Sequence, residues 1–355
     1  MTNTFFKFLK TSFSFIILLI SLFYSLYNLQ PKPTPNPGAM DPDTELQYEF
    51  PGSFRYYKSG RVERLDGTEV VPTGTDPTTG VISKDITIDQ STGLSARLYF
   101  PSGINSDKKV PIILFIHGGA FIIHTAGSPA YHRYCNLLSS NAKSVVVSVS
   151  YRLAPEHRVP VAYDDTWESL KWVVLNCRSG PEPWLAKHGD LNRIFLAGDS
   201  AGANIAHNIA VRFAEEGIDG CPKLKGVLLL NPYFWGKDPI GNEKTDPGLQ
   251  AWMEETWSFI CGGKYDMNHK FVHPMGSQEV FAKLGCERVM VTVAELDLFV
   301  ERGKAYAEAL KKSGWDGEVV LYETPGEEHV YFLTKFDEEK AVEEMEAMAA
   351  FINKD

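Results

Sequence analysis

The residues that could do chemistry sit in two small-residue turns. Gly198-Asp199-Ser200-Ala201-Gly202 is a G-x-S-x-G motif that follows the apolar run Arg193 to Ala197 and opens a helical pattern at Ala201. A serine on a sharp strand-to-helix turn holds its hydroxyl out at the edge of a sheet, and the flanking glycines let neighbouring backbones pass. The helix N-terminus adds unpaired N–H groups and partial positive charge. The second turn, His117-Gly118-Gly119-Ala120, follows another apolar run, Val110 to Ile116. The backbone N–H groups of Gly118 and Gly119, together with that of Ala201, are expected to form an oxyanion hole. The chemistry this implies is nucleophilic attack on an acyl carbon.

A serine hydroxyl needs a base. Of nine histidines, His329 has the right setting, after the strand pattern Glu318 to Tyr322 and the turn Pro325-Gly326-Glu327-Glu328. His117 belongs to the glycine turn and His207 lies well inside the helix after Ser200; His124, His132, His157, His188, His269 and His273 fall in loops or helices before the acid. The orienting carboxylate is expected at Asp297, between a strand at Arg288 to Val293 and a helix starting near Val300. Glu295 is its nearest rival, closer to the strand end. A chain order of serine, acid, histidine differs from both protease orders.

These turns need a frame. Val81 to Ile88 and Leu94 to Phe100 read as a hairpin; Val110 to Ile116, Ser144 to Val149, Arg193 to Ala197, Lys225 to Leu230, Arg288 to Val293 and Glu318 to Tyr322 read as buried strands. Helical patterns lie at Tyr163 to Asn176, Ala201 to Glu215, Val300 to Lys312 and Phe336 to Ile352. Short apolar strands alternating with helices predict an α/β fold, a mostly parallel sheet with helices on both faces. Residues 41–75 and the aromatic-rich 231–275 break the alternation. Residues 41–75 read as irregular, both segments are candidates for a cap over the carboxyl edge of the sheet, and the aromatic cluster of 231–275 reads equally as a second small core.

The 355 residues carry a net charge of −10 without a basic run, so a nucleic-acid partner is not expected. Five cysteines without a C-x-x-C pair argue for reduced, buried thiols rather than a disulfide framework or a zinc site. Neither metal nor organic cofactor is implied. The N-terminal 1–40 differ from the rest: Lys7 and Lys10 precede the uncharged stretch Thr11 to Gln30, followed by the proline-rich linker Pro31 to Gly38. That stretch just reaches the length of a membrane span. It reads as a single anchor that leaves the lysines cytoplasmic, better than as a cleaved signal, for which the small-x-small sites are poor. The alternative is a soluble cytoplasmic form started at Met40, and the absence of any N-x-S/T sequon speaks mildly for it.

Five motifs in order resemble the plant carboxylesterases of the hormone-sensitive-lipase group, within the α/β-hydrolase fold. They are Tyr57 to Leu65, His117-Gly118-Gly119-Ala120-Phe121, Tyr151 to His157, Gly198 to Asn204 and Gly326 to Val330. The resemblance covers residues 41–355 and implies a catalytic domain with a cap from its N-terminal region, acting on a small-molecule ester through Ser200, Asp297 and His329. Members usually begin near the position of Met40, so the preceding segment is a departure. Two related groups qualify the function. Gibberellin receptors are similar but lack a usable catalytic histidine, whereas His329 is present here. The 2-hydroxyisoflavanone dehydratases are similar too; Ala120, standing where the third glycine is usual, leans slightly toward them.

Overall fold

The computed structural model describes residues 41–105, 107–243, 246–276 and 281–354. The expected anchor and linker lie outside the described residues. Among the described residues no helix is long and apolar enough to cross a membrane.

Eight strands form one sheet, in chain order β4 (Ile82–Asp89), β5 (Leu94–Phe100), β6 (Val110–Ile116), β7 (Val145–Ser150), β8 (Gly189–Asp199), β9 (Gly226–Leu230), β10 (Arg288–Ala294) and β11 (Glu318–Thr324). Their spatial order is β11-β10-β9-β8-β6-β7-β5-β4. The β4–β5 hairpin pairs antiparallel and joins β7 antiparallel; every other pairing is parallel. All residues of β6, β9 and β10 are buried, as a sheet covered on both faces demands. Helices α2 (Val161–Arg178), α4 (Ala201–Glu216) and α6 (Val300–Lys312) pack on one face. On the other lie α1 (Pro129–Ala142) and α7 (Glu339–Asn353), and a short helix, α3 (Pro183–His188), precedes β8.

Parallel connections bring the carboxyl ends of β6, β8, β9, β10 and β11 to one edge, where ligands of open α/β sheets bind. The loops leaving those ends carry His117 to Ala120, Ser200, Tyr233, Asp297 and His329 respectively.

Both segments that break the alternation contain regular elements, including 41–75, which reads as irregular. Residues 41–75 contain an antiparallel sheet of β1 (Leu46–Phe50), β2 (Phe54–Tyr57) and β3 (Val62–Arg64). Residues 231–275 contain helix α5 (Pro247–Cys261). The Asp246 carboxylate caps α5 by accepting the Leu249 N–H at 3.0 Å, Pro247 starts it, and Gly262 ends it in the left-handed conformation. Sheet and helix pack together through aromatic rings. Tyr48 stacks on Phe259 at 4.0 Å, Phe50 meets Trp252 at 5.4 Å, and the Tyr48 hydroxyl lies 2.9 Å from Thr256 Oγ1.

Arg64 ties this body to the loops after β6 and β7. Its Nε donates to Ile122 O (2.8 Å), Nη2 to Ala154 O (3.1 Å), and both Nη atoms reach the Glu156 carboxylate.

Candidate active site

Ser200 sits at φ 51°, ψ −117°, outside the regions a side-chain-bearing residue prefers. The turn is held from both sides: Ser200 N–H donates to Leu230 O (2.9 Å), and Tyr233 N–H donates to Ser200 O (3.0 Å). Such a turn tolerates no bulk beside it. A Cβ at Gly202 would overlap the Ile116 carbonyl, and one at Gly198 would come within 2.6 Å of Gly202 and of Ile116 O. The spacing of the G-x-S-x-G motif is therefore a packing requirement between β6, β8 and the first turn of α4.

His329 reaches this serine from the far side of the sheet edge, its Nε2 lying 2.9 Å from Ser200 Oγ and its Nδ1 2.8 Å from Asp297 Oδ2. A carboxylate only accepts, so Nδ1 carries the proton and Nε2 is left to accept from the serine hydroxyl. Asp297 Oδ1 accepts from Phe299 N–H at 3.0 Å, which fixes the carboxylate's rotation. Ser200, Asp297 and His329 are all buried, so water does not screen their interaction.

Glu295, the rival acid, serves the frame. Its Oε2 accepts from Gly326 N–H (2.7 Å), and Leu296 N–H donates to Glu327 O (2.8 Å), so the acid loop and the histidine loop are sewn together. Glu327 is itself buried. Burial pushes its carboxyl up, but Lys335 and Lys340 outweigh that and hold it below the usual range.

The loop after β6 departs from expectation at one residue. The N–H of Gly118 is engaged, donating to Asp199 Oδ1 (3.0 Å) and the Tyr131 hydroxyl (2.9 Å). Gly119, Ala120 and Phe121 then take positive φ values of 94°, 50° and 64°, a left-handed run that turns the chain sharply. Among the described residues no acceptor is found for the N–H of Gly119 or Ala120. The Ala201 N–H is the first of α4 and has no partner within the helix. Gly119, Ala120 and Ala201 thus present backbone N–H groups without such a partner, whereas that of Gly118 is engaged. His117 is structural: its Nδ1 pairs with Gly118 O (2.8 Å), its ring stacks on Tyr151 (4.2 Å), and burial pulls its pKa down to about 3.

Two residues here were not legible as site residues. Asp199, the variable position of the serine motif, is fully buried, which pushes its pKa up to about 7 while Tyr131 and Gly118 N–H stabilise its ionised form. Tyr131 lies on α1, a helix the apolar periodicity does not reveal; the Ser128-Pro129 start signal was the available clue. Among the described residues no cluster of side chains could hold a metal ion.

Residues 113–333 match a family model described as alpha/beta hydrolase fold. Among curated proteins, probable carboxylesterase 2 of Arabidopsis thaliana is 45% identical over 299 residues, covering 84% of this chain and 93% of its own. The 2-hydroxyisoflavanone dehydratase of Glycyrrhiza echinata is 40% identical over 319 residues, 87% of this chain and 96% of its own. Among solved structures, a hyperthermophilic esterase from Pyrobaculum calidifontis superposes with a TM-score of 0.63 at 28% identity, covering 76% of this chain and 84% of that one.

Proposed function

The chain belongs to the plant carboxylesterase family of the α/β-hydrolase fold, and from that premise we propose that it hydrolyses carboxylic esters of small molecules through an acyl-enzyme on Ser200. The unbroken contact from Asp297 through His329 to Ser200 Oγ is the observation that carries this reading. His329 Nε2 takes the hydroxyl proton as Oγ attacks the ester carbonyl. Backbone N–H groups of Gly119, Ala120 and Ala201 stabilise the tetrahedral oxyanion. The imidazolium, steadied by Asp297, returns the proton to the departing alcohol. Water then enters, gives its proton to His329 and releases the acid, with the proton going back to Ser200.

The test is the Ser200→Ala protein on p-nitrophenyl acetate, with fluorophosphonate labelling of the unaltered chain. Loss of about 10⁴-fold or more in kcat is expected for a nucleophile of this kind. Wild-type turnover by Ser200→Ala would overturn the proposal.

Likeness to a dehydratase over nearly the whole domain supports a second reading. In it the same histidine and oxyanion donors promote loss of water from a flavonoid-like substrate. Incubation with a hydroxyisoflavanone separates the two, because an esterase returns it unchanged. A third reading, hormone binding without turnover as the likeness to gibberellin receptors would suggest, is disfavoured by the serine–histidine contact. For placement, the uncharged stretch 11–30 behind Lys7 and Lys10 supports an N-terminal membrane anchor. Carbonate extraction of the full chain tests it, a soluble fraction speaking for the Met40 form.

A further inference from the structure

Behind Ser200 the loop after β9 leads into an aromatic surround. Phe121 is met edge-on by Tyr163 (6.1 Å between centroids), Tyr233 (6.3 Å) and Trp257 (6.4 Å). Tyr233 also packs on Phe299 (5.1 Å), which packs on the His329 ring (5.1 Å). The polar atoms of this surround are unequally served. The Tyr163 hydroxyl donates to Asn204 Oδ1 (2.8 Å). The hydroxyl of Tyr233 and the indole N–H of Trp257 are buried without a partner among the described residues, at 4% and 1% exposure. Tyr233 and Trp257 thus share one neighbour, the Phe121 ring, and Phe121 follows directly on Gly119 and Ala120 in the loop after β6. Both unpaired donors therefore belong to rings packed on the loop that carries the proposed oxyanion donors. A buried donor left unpaired is costly, and two at one junction beside a nucleophile are accounted for if a ligand atom completes them.

We infer that Tyr233 and Trp257 form a specificity subsite that takes a planar, apolar group bearing a hydrogen-bond-accepting oxygen, the rings enclosing the plane and the two donors reading the oxygen. This rests on the ester-hydrolase reading and narrows its substrates to oxygenated aromatic esters.

The test compares matched pairs in which a remote ether oxygen is present or absent. On the acyl side these are p-nitrophenyl 3-phenylpropanoate and its 4-methoxy counterpart; on the alcohol side, 2-phenylethyl acetate and its 4-methoxy counterpart. The unaltered enzyme is expected to favour the methoxy ester of one pair by roughly tenfold in kcat/KM. In Tyr233→Phe the ratio should fall toward one, and in Trp257→Phe it should fall part of the way. Each ratio is internal to one protein, so a partly unfolded preparation does not mimic the effect. Binding of the same four esters to Ser200→Ala, followed by tryptophan fluorescence, gives the ratio without turnover. Equal ratios in the unaltered protein and in both variants would overturn the subsite. Failure to hydrolyse any ester, with the binding preference intact, would overturn the hydrolytic reading and leave the subsite standing.

Discussion

Asp199 Oδ1 accepts the backbone N–H of Gly118 at 3.0 Å, so the residue before the proposed nucleophile clamps the loop that carries the proposed oxyanion donors. The other carboxylate oxygen, Oδ2, takes the Tyr131 hydroxyl at 2.9 Å. The turn of β8 into α4 and the turn after β6 are thereby one unit. A shift of either moves the nucleophile relative to the donors that must receive the oxyanion.

That clamp is sensitive to pH. Burial raises the Asp199 carboxyl from 3.8 to about 7. A group whose folded pKa lies above its unfolded value contributes stability that is fully present below the unfolded pKa and is lost as pH rises through the folded one. The wild type should therefore lose stability relative to Asp199→Asn between pH 4 and pH 8, by at most ~4 kcal/mol at 1.36 kcal/mol per pKa unit. Urea melts of both proteins across that range check this. A stability difference that does not vary with pH would sink it.

The two carboxylates between β10 and α6 should separate cleanly. Asp297→Asn is expected to lower kcat by about 10⁴-fold, because the amide no longer enforces the imidazole tautomer that accepts from serine. Glu295→Gln keeps an acceptor for Gly326 N–H and touches neither imidazole nor serine. Its kcat should stay within a few-fold of wild type. A larger loss from Glu295→Gln than from Asp297→Asn would reverse the assignment.

How much of this was readable in the chain differs by element. The G-x-S-x-G turn at the end of β8 and the turns after the strand patterns of β10 and β11 are what single out Ser200, Asp297 and His329 in the sequence. Residues whose role depends on a partner far along the chain could not be found this way. Tyr131 contacts Asp199 across 68 positions, and nothing local to either residue marks the pairing. Gly118 was expected to donate to an oxyanion because glycine frees the backbone, but which way its N–H points is decided by Asp199. Helix α5 carried its start at Asp246-Pro247 and its stop at Gly262-Gly263 in plain view. It stands outside the strand–helix alternation because its aromatic face packs on β1 and β2 of the small sheet rather than on the main one.

That packing should be measurable. Phe259 lies against Tyr48 (4.0 Å), Phe54 (5.7 Å) and Tyr56 (5.4 Å), joining α5 to the N-terminal sheet. Phe259→Ala should destabilise the protein by about 1–2 kcal/mol, below the ~3–5 kcal/mol of a fully buried phenylalanine because Phe259 is half-buried. KM should rise more than kcat falls, because the catalytic contacts lie on the other body. Chemical denaturation and steady-state kinetics check both parts, and a selective fall in kcat would refute the division of labour.

A buried ion pair offers the sharpest stability test. Arg302 on α6 and Glu243 in the loop before α5 pair at 1% and 2% side-chain exposure. Arg302 Nη2 also donates to Asp238 O at 2.7 Å, and its guanidinium lies 5.4 Å from the Trp235 ring centroid. Removing one partner strands a charge away from water, so Glu243→Gln should cost about 3–5 kcal/mol. Replacing both, as Arg302→Met with Glu243→Leu, removes the desolvation cost along with the attraction and should cost less than either single change. A double-mutant cycle followed by urea denaturation measures this coupling. If the two single losses simply add in the double variant, the pair makes no joint contribution and the loop before α5 is held by its other contacts.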